Sequence, residues 1–321
     1  MTALEPLVRA APDAVRAAAA RVRPYVRRTP TLDLVGTRRP LAWTVALKLE
    51  LLQVTGSFKP RGAINRMLEL DQAERARGVV AASGGNHGLA VAYAACVLGV
   101  PAHVYVPETA SPVKVEKIRA WGATLHQVGE FYHQAYEAAS AHARAAGLAY
   151  VHAYADPAVV AGQGTVGLEF LEDRPELDAI LVAVGGAGLI AGMAAYVGQT
   201  DPRVRVIGVE PVGIPTLAEA LRRGGPVTLE RLSSIAADSL GAQSVAPLTY
   251  ELARRYVERV VLIEDDDIRA AQRFLWDEVR LVAEPGGAAA LAALLSGTSG
   301  LPDGARVGVV VCGSNAAIRF E

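Results

Sequence analysis

This sequence of 321 residues has almost no net charge and only two cysteines. Lys and Arg together number 32 and Asp and Glu number 33, which leaves a formal charge of −1. Because no basic excess is available to attract phosphates, we expect neither nucleic acid nor a membrane as a partner. Cys96 and Cys312 are too few for a disulfide framework or a structural zinc site. A reducing, cytoplasmic location is therefore our expectation.

Long hydrophobic runs are missing as well. No apolar stretch approaches the ~20 residues that span a bilayer. The charged residues Glu5, Arg9 and Asp13 interrupt any apolar segment of the kind found in a signal peptide. What remains is a chain with 51% hydrophobic and 20% charged residues, which is the composition of a globular protein. Its length is sufficient for two domains.

The first half of the chain alternates short β-rich runs with helical stretches. The predicted strands there are Val79–Ala82, His103–Val106, Thr124–Val128 and Tyr150–His152, and the predicted helices are Asn86–Leu98, Pro112–Trp121 and Glu130–Ala146. Gly99, Gly122 and Gly147 stand where helix C-caps belong. This alternation predicts βαβ units and a parallel sheet, and we interpret residues 79–153 as a small domain.

A second alternating set follows in the remainder of the chain. Its predicted strands are Ala179–Val184, Val204–Val209, Arg259–Ile263 and Val307–Val311, and its predicted helices are Gly188–Val197, Thr216–Arg222, Asp266–Val279 and Gly287–Leu295. The last strand is a valine-rich run, which is typical of a central parallel strand. We expect residues 1–78 to join this set. A large domain of residues 1–78 and 154–321 would then carry the small domain as an insertion.

Two glycine-containing loops each connect a predicted strand to a predicted helix. One is Gly185-Gly186-Ala187-Gly188, directly before Leu189, and the other runs from Ser83 to Gly88. Backbone N–H groups at such a helix start favour an anion. A tight turn that binds nothing is the alternative interpretation of either loop alone. The first loop also lacks the GxGxxG and GK[ST] spacings of nucleotide sites.

A lysine and three further segments together resemble a known family. Lys59 lies in the run Thr55-Gly56-Ser57-Phe58-Lys59-Pro60-Arg61-Gly62-Ala63. It is followed by Ser83-Gly84-Gly85-Asn86-His87-Gly88, Val184-Gly185-Gly186-Ala187-Gly188-Leu189 and Cys312-Gly313-Ser314-Asn315. In this order the segments resemble the serine/threonine dehydratase family of fold-type II pyridoxal-phosphate (PLP) enzymes. Pro60 after the lysine and Ala187 in place of a glycine depart from the family pattern.

The resemblance covers nearly the whole chain and implies an α/β fold like that of the tryptophan synthase β subunit. In that fold two parallel-sheet domains hold the cofactor between them. The implied catalytic residue is Lys59, which attaches PLP. The implied cofactor-binding residues are Phe58, Lys59, Asn86, Gly185, Gly186, Ala187, Gly188, Leu189, Gly241, Glu284 and Ser314. The implied residues for the substrate carboxylate are Ser83, Gly84, Asn86 and His87. Members are usually homodimers, and we expect one here.

Metal binding is expected at one position only. Glu210 lies in a segment that resembles the structural cation site of some family members, so we predict that it holds a monovalent or divalent cation. His103, His126 and His142 show no metal-ligand spacing, and we expect them to pack or to face solvent. His87 is expected to be hydrogen-bonded locally and not to serve as a general base.

The implied activity is that of an ammonia-lyase (dehydratase), which converts L-threonine or L-serine to 2-oxobutanoate or pyruvate plus ammonia. Alternatives are a dehydratase of phenylserine or hydroxyaspartate, an amino-acid racemase, and a β-replacement synthase of the cysteine-synthase type. The synthases usually carry Ser-x-Lys-Asp-Arg, which is not matched around Lys59. Gly84 stands where racemases of the family carry a serine as second acid/base, which argues against racemisation. A small-anion-binding protein without catalysis is the remaining alternative.

Overall fold

Two β-sheets form the framework of the chain in a computed structural model, which describes residue 4, residues 11–110 and residues 112–316. The strands in these residues are β1 (Thr31–Asp33), β2 (Thr44–Lys48), β3 (Val79–Ala82), β4 (Ala102–Val106), β5 (Thr124–Gln127), β6 (Ala149–Tyr150), β7 (Ala179–Ala183), β8 (Arg205–Pro211), β9 (Arg259–Ile263) and β10 (Arg306–Val310). The larger sheet has the order β1-β2-β10-β7-β8-β9, and the smaller has the order β5-β4-β3-β6.

Helices connect the strands of both sheets. They are α1 (Ala11–Val22), α2 (Lys59–Glu69), α3 (Gln72–Arg77), α4 (Asn86–Leu98), α5 (Pro112–Ala120), α6 (Tyr132–Ala146), α7 (Pro157–Asp173), α8 (Gly188–Thr200), α9 (Thr216–Arg223), α10 (Ala237–Leu240), α11 (Pro247–Tyr256), α12 (Asp265–Val279) and α13 (Pro285–Leu295). Gly99 and Gly147 end α4 and α6 in the left-handed conformation, as predicted. Among the described residues, none of the helices has the length and hydropathy needed to cross a membrane.

The predicted strand–helix alternation is confirmed, with one difference in direction and with several helices that were not predicted, of which α7 is the longest and α11 is another. The smaller sheet is parallel throughout, whereas the edge strand β1 of the larger sheet runs antiparallel to β2. Helix α7 is not among the predicted elements because Gly162, Gly164 and Gly167 lower its helix propensity. These glycines let neighbouring helices approach closely; a Cβ at Gly162 would lie 2.5 Å from the Arg61 carbonyl.

Each sheet has its own hydrophobic core. Helix α2 contributes Ala63, Ile64 and Met67 to the core of the smaller sheet, although it precedes that sheet in the chain. The division into residues 1–78 plus 154–321 and residues 79–153 stays a prediction. Residues 1–3, 5–10, 111 and 317–321 of that division lie outside the described residues.

A buried ion-pair network fixes the start of α2. The fully buried Arg61 guanidinium donates to Glu50 at 2.7 and 2.8 Å and to Glu169 at 2.7 and 2.9 Å. Lys48 extends the network to Glu169 at 3.0 Å and to Asp173 at 3.2 Å. Burial raises the pKa of Glu169, but the hydrogen bonds and charges of Arg61 and Lys48 outweigh it and hold that pKa below its ordinary value. The network joins β2, α2 and α7.

We expect Arg61→Leu to lower the free energy of unfolding by about 3–5 kcal/mol, because it leaves buried carboxylates without their cation. Urea unfolding of the purified protein measures this change. Arg269→Leu is the matched control, since it removes an exposed pair with Asp266 and should alter stability far less. An unfolding midpoint for Arg61→Leu equal to that of the unmodified protein would contradict the role of this network.

Candidate active site

Lys59 is the first residue of α2 and is held against the end of β10. Pro60 suits the first turn of a helix because its missing N–H has no helical partner to lose. Ser57 forms an isolated antiparallel bridge with Gly313, and the Phe58 N–H donates to the Cys312 carbonyl at 3.3 Å. The Lys59 Nζ donates to the Ala153 carbonyl at 3.2 Å. Ala153 follows β6, the last strand of the smaller sheet, by three residues. The amine therefore lies where the two sheets meet.

The environment of Lys59 favours its uncharged form. Burial lowers the pKa of the Lys59 amine to about 8, although the nearby Cys312 thiol and Glu284 carboxyl oppose the change. At neutral pH a larger fraction of such an amine is unprotonated than of a solvated lysine. A lysine in this state is suited to nucleophilic attack on a carbonyl and to proton abstraction.

The loop of residues 185–188 connects β7 to α8 with an unusual backbone. Ala187 has φ 63° and ψ 7°, a left-handed conformation that glycine adopts more readily. Gly186 must be glycine, because a Cβ there would overlap the ring of Tyr154. The first N–H groups of α8 have no partner within their own helix, which is the arrangement that favours an anion. The structure thus supports the predicted strand–loop–helix geometry, while the ligand stays a prediction.

The loop of residues 83–88 connects β3 to α4 in the same way. The Gly85 N–H donates to the Ser83 hydroxyl at 3.2 Å. A Cβ at Gly88 would overlap the Ser83 carbonyl, so this tight turn requires glycine. A Cβ at Gly84 would meet Val106 and Ala110 at 3.6 Å, which is ordinary van der Waals contact. The absence of a side chain at Gly84 is therefore not forced by packing.

His87 has the local hydrogen bond expected from the sequence. Its buried ring has Nε2 at 2.8 Å from the Val151 carbonyl, so Nε2 carries the proton and donates. Burial, with the positive charge of Lys59 as the next contribution, lowers the pKa of His87 to about 3. The ring is neutral at physiological pH and ties α4 to the end of β6. Contact of His87 with a substrate carboxylate stays a prediction.

An amide and carboxyl network lies on the other side of Lys59. Asn86 donates to Glu284 at 2.6 Å and accepts from the Asn315 amide at 2.7 Å. Asn315 also donates to the Thr55 carbonyl at 2.8 Å. Burial raises the pKa of Glu284 to about 6. Asn315 is absent from the predicted site residues, although it directly follows Ser314 in the segment that resembles the family.

The remaining predicted residues lie around the same space. The Ser314 hydroxyl donates to the Leu51 carbonyl at 3.0 Å. Gly241 follows the last residue of α10, Leu240. The backbone of Leu240 packs close to Gly185, since a Cβ added to Gly185 would lie 3.1 Å from it. An ion pair between Lys114 and Asp238 joins α5 to α10 across the opening. The residues that line a cavity at this opening include Gly84, Gly85, Asn86, Lys114, Lys117, Asp238 and Glu284.

Glu210 is separate from this space and serves as a helix cap. Its carboxylate oxygens accept the backbone N–H groups of Leu217 and Ala218 at 2.7 and 2.9 Å, at the start of α9. Burial raises the pKa of Glu210 to about 8. These hydrogen bonds satisfy the carboxylate within the protein, and a cation at Glu210 stays a prediction.

A cluster of aromatic side chains beside Lys59 is absent from the predicted site. It consists of Tyr132, Tyr136, Tyr150, His152 and Tyr154, whose successive ring centroids lie 4.8 to 6.3 Å apart. Burial raises the pKa of Tyr150 and Tyr154, and neighbouring phenols add to the shift in each. We call this set the aromatic cluster. It extends from Tyr154, at the 185–188 loop, to the more exposed Tyr132 and Tyr136.

Comparisons with known proteins agree with this geometry. A profile of the family described as pyridoxal-phosphate dependent enzymes matches residues 22–313. The phenylserine dehydratase of Ralstonia pickettii is 42% identical over 296 residues, which are 92% of this chain and 90% of that protein. The L-threonine ammonia-lyase of Thermotoga maritima is 41% identical over 276 residues, 86% of this chain and 68% of that protein. Among solved structures, a T.th. threonine deaminase has a TM-score of 0.90 and 36% identity, covering 96% of this chain and 99% of that one.

The lowered pKa of Lys59 predicts how its reactivity depends on pH. In the ligand-free protein, acylation of Lys59 should rise about tenfold per pH unit below pH 8 and level off above it, because only the unprotonated amine reacts. Mass spectrometry of peptides after short labelling gives the rate. The reference is Nα-acetyl-lysine, whose free side-chain amine has a pKa of about 10.4. Its acylation rate should still rise above pH 9. A Lys59 profile that follows the reference would disprove the assigned environment.

Proposed function

The chain belongs to the family of pyridoxal-phosphate dependent enzymes, and from that membership we propose that it is an ammonia-lyase for L-threonine, L-serine or both. It is a PLP-dependent lyase of the threonine and serine dehydratase group. The reaction removes the β-hydroxyl as water, and the released enamine hydrolyses to a 2-oxo acid and ammonia. The observation that carries the proposal is the Lys59 amine, desolvated at the start of α2 and bound to the carbonyl that precedes Tyr154.

The residues around Lys59 fit PLP. The cofactor aldehyde needs an uncharged amine, which the lowered pKa of Lys59 provides. The cofactor phosphate needs an anion site, which the 185–188 loop and the N–H of Leu189 provide at the start of α8. Phe58, Asn86, Gly241, Glu284 and Ser314 would surround the ring. Ser314 is a neutral partner for the pyridine nitrogen, which favours elimination over transamination.

Bound PLP supplies the electron sink that makes the substrate Cα proton acidic. The chain supplies the other requirements of the reaction. Lys59, when its amine is free, accepts the Cα proton at Nζ. The 83–88 loop holds the substrate carboxylate through backbone N–H groups and the Ser83 hydroxyl. Neutral His87 positions this loop by donating to Val151 and carries no charge that would compete for the carboxylate.

Gly84 restricts proton transfer to one face of the substrate. Racemisation needs a second acid/base opposite the lysine, and Gly84 has no side chain to provide one. Elimination needs a base on one face only. The racemase alternative is therefore disfavoured, whereas the dehydratase proposal is unaffected.

The aromatic cluster favours a second candidate substrate class, namely β-hydroxy amino acids with a large side chain such as phenylserine. Aromatic rings prefer offset or edge contacts with other rings, worth about 0.5–1.5 kcal/mol beyond burial. Tyr154 lies against the 185–188 loop and directly follows Ala153, whose carbonyl binds Lys59, so the cluster begins beside the reactive amine. One relative of this chain is a phenylserine dehydratase, which is consistent with this candidate.

Assembly and location are part of the proposal. A homodimer is the usual state of the family, and light scattering coupled to size-exclusion chromatography measures it. A cytoplasmic location is supported by the cysteines, since Cys96 and Cys312 are both free thiols.

The central test is Lys59→Ala. It should reduce formation of 2-oxo acid from L-threonine and L-serine by more than about 10⁴-fold, because cofactor attachment and the base are lost together. The purified variant should also lack the visible absorbance of lysine-bound PLP. Arg269→Ala is the control, because Arg269 is an exposed cation that pairs with Asp266 on α12, and this variant should retain both properties. Substantial 2-oxo acid formation by Lys59→Ala without an added amine would refute the assignment.

Gly84→Ser tests the argument from one-sided proton transfer. A Cβ at Gly84 stays at ordinary contact distance from its neighbours, and the serine hydroxyl supplies a second acid/base, so we expect L-serine racemisation to rise by about 10-fold or more while elimination continues. Chiral chromatography of the serine pool measures this ratio. Gly84→Ala, which adds only the Cβ, controls for packing. The idea fails if the unmodified enzyme already interconverts L- and D-serine as fast as it eliminates.

Tyr136→Leu tests the second candidate. If the aromatic cluster binds a substrate ring, kcat/KM for phenylserine should fall by about 5-fold, equivalent to about 1 kcal/mol, with threonine changed less than about twofold. Phe131→Leu is the control, because Phe131 stacks on His133 outside the cluster. Equal losses for both substrates would assign Tyr136 a structural role only. Lack of phenylserine turnover by the unmodified enzyme would exclude the candidate and leave the threonine proposal intact.

A further inference from the structure

Three histidines that are far apart in the sequence meet on one face of the smaller sheet. His103 lies in β4, His126 in β5 and His142 in α6, the helix that covers this face. One ligand nitrogen from each ring lies within 4.8 Å of those of the other two. His103 Nδ1 and His126 Nε2 are 3.1 Å apart. These side chains pack on one another, as expected from the sequence, and their nitrogen atoms also converge.

Tyr105 orients two of the three rings. It stacks on His126 with ring centroids 4.4 Å apart and an interplanar angle of 12°. Its hydroxyl lies 3.0 Å from His142 Nδ1. Strand pairing places Tyr105 directly opposite His126, so sheet register fixes this arrangement. Outer partners that hold imidazole rings in one orientation are typical of histidine metal sites.

We propose that His103, His126 and His142 bind a divalent transition-metal ion, with Zn²⁺ as the best match. Imidazole nitrogen is a preferred ligand of Zn²⁺, Cu²⁺ and Ni²⁺. Zn–N bonds of about 2.0–2.1 Å require ligand nitrogens a little over 3 Å apart, close to the observed spacing of His103 and His126. Three protein ligands leave a fourth position for water. The three rings are only partly buried, so the ion can reach them from solvent.

This site is independent of Lys59 and PLP. It links the paired strands β4 and β5 to α6, a helix that packs on the smaller sheet mainly through apolar side chains. An ion that binds the folded state and not the unfolded chain stabilises the folded state. The expected role is therefore a cross-link of α6 onto the smaller sheet. A hydrogen-bonded histidine trio without metal is the competing account, and the experiment separates the two.

The experiment uses the PLP-bound enzyme, stripped of metals with a chelator and then titrated with Zn²⁺ alone. Isothermal titration calorimetry should give one Zn²⁺ per chain, and the thermal midpoint should rise by several degrees. His126→Asn should weaken Zn²⁺ binding by about 100-fold or more, and Tyr105→Phe by about 10-fold. His133→Asn, on the same helix α6 but outside the trio, should bind like the unmodified enzyme.

Folding is checked in each variant by the visible absorbance of lysine-bound PLP. If His126→Asn does not fold, the unmodified enzyme still tests the metal site. Co²⁺ bound to three histidines gives visible d–d absorption bands, and these bands should disappear when Zn²⁺ displaces the Co²⁺. Absence of saturable Zn²⁺ binding and of Co²⁺ bands in the unmodified enzyme would overturn the proposal. Equal Zn²⁺ affinity in folded His126→Asn would overturn it too. Neither result bears on the ammonia-lyase proposal.

Discussion

The position of Lys59 depends on the buried ion pairs of Arg61, two residues further along α2. A guanidinium without solvent is stable only when carboxylates surround it, and Glu50 and Glu169 do so from two other elements. Because both pairs have two hydrogen bonds, they restrain orientation as well as distance. The start of α2 is thereby fixed to the larger sheet and to α7 together. Because Lys59 is the first residue of α2, the same contacts fix the position of its desolvated amine.

Close approach of backbone segments is the second constraint on the site. Gly186 lies under the ring of Tyr154, and Gly88 lies against the carbonyl of Ser83, at positions where a Cβ would overlap its neighbour. Both glycines begin or flank a helix whose first N–H groups face the space around Lys59. Ala187 keeps the left-handed turn in spite of its methyl group, at a cost of about 1 kcal/mol relative to glycine. The proposed anion binding would therefore depend on these backbone positions more than on charged side chains.

The parts of the molecule that are local in sequence were predictable, and those set by long-range pairing were not. The alternation of strands and helices, the glycine caps at Gly99 and Gly147, and the loops at 83–88 and 185–188 all follow from short windows. The aromatic cluster combines residues of α6 and β6 with the segment that leads into α7, and the histidine trio depends on the register of β4 with β5. Neither the residues of the aromatic cluster nor the three histidines have a regular spacing along the chain. The antiparallel β1 likewise depends on tertiary pairing, since three residues carry little signal.

The two sheets contribute different properties to the site. In the proposed enzyme, the larger sheet and α2 carry Lys59, the 185–188 loop and Ser314, which would serve the cofactor. The smaller sheet carries the 83–88 loop, which would hold the carboxylate common to all amino-acid substrates. Together with α6 it also carries most of the aromatic cluster, which would face the side chain that varies between substrates. Helix α6 bears Tyr132 and Tyr136 near its start and His142 near its end. A metal bound at His142 would therefore restrain the same helix that presents these two tyrosines. The tyrosines would be held more rigidly against the substrate side chain, without any change at Lys59.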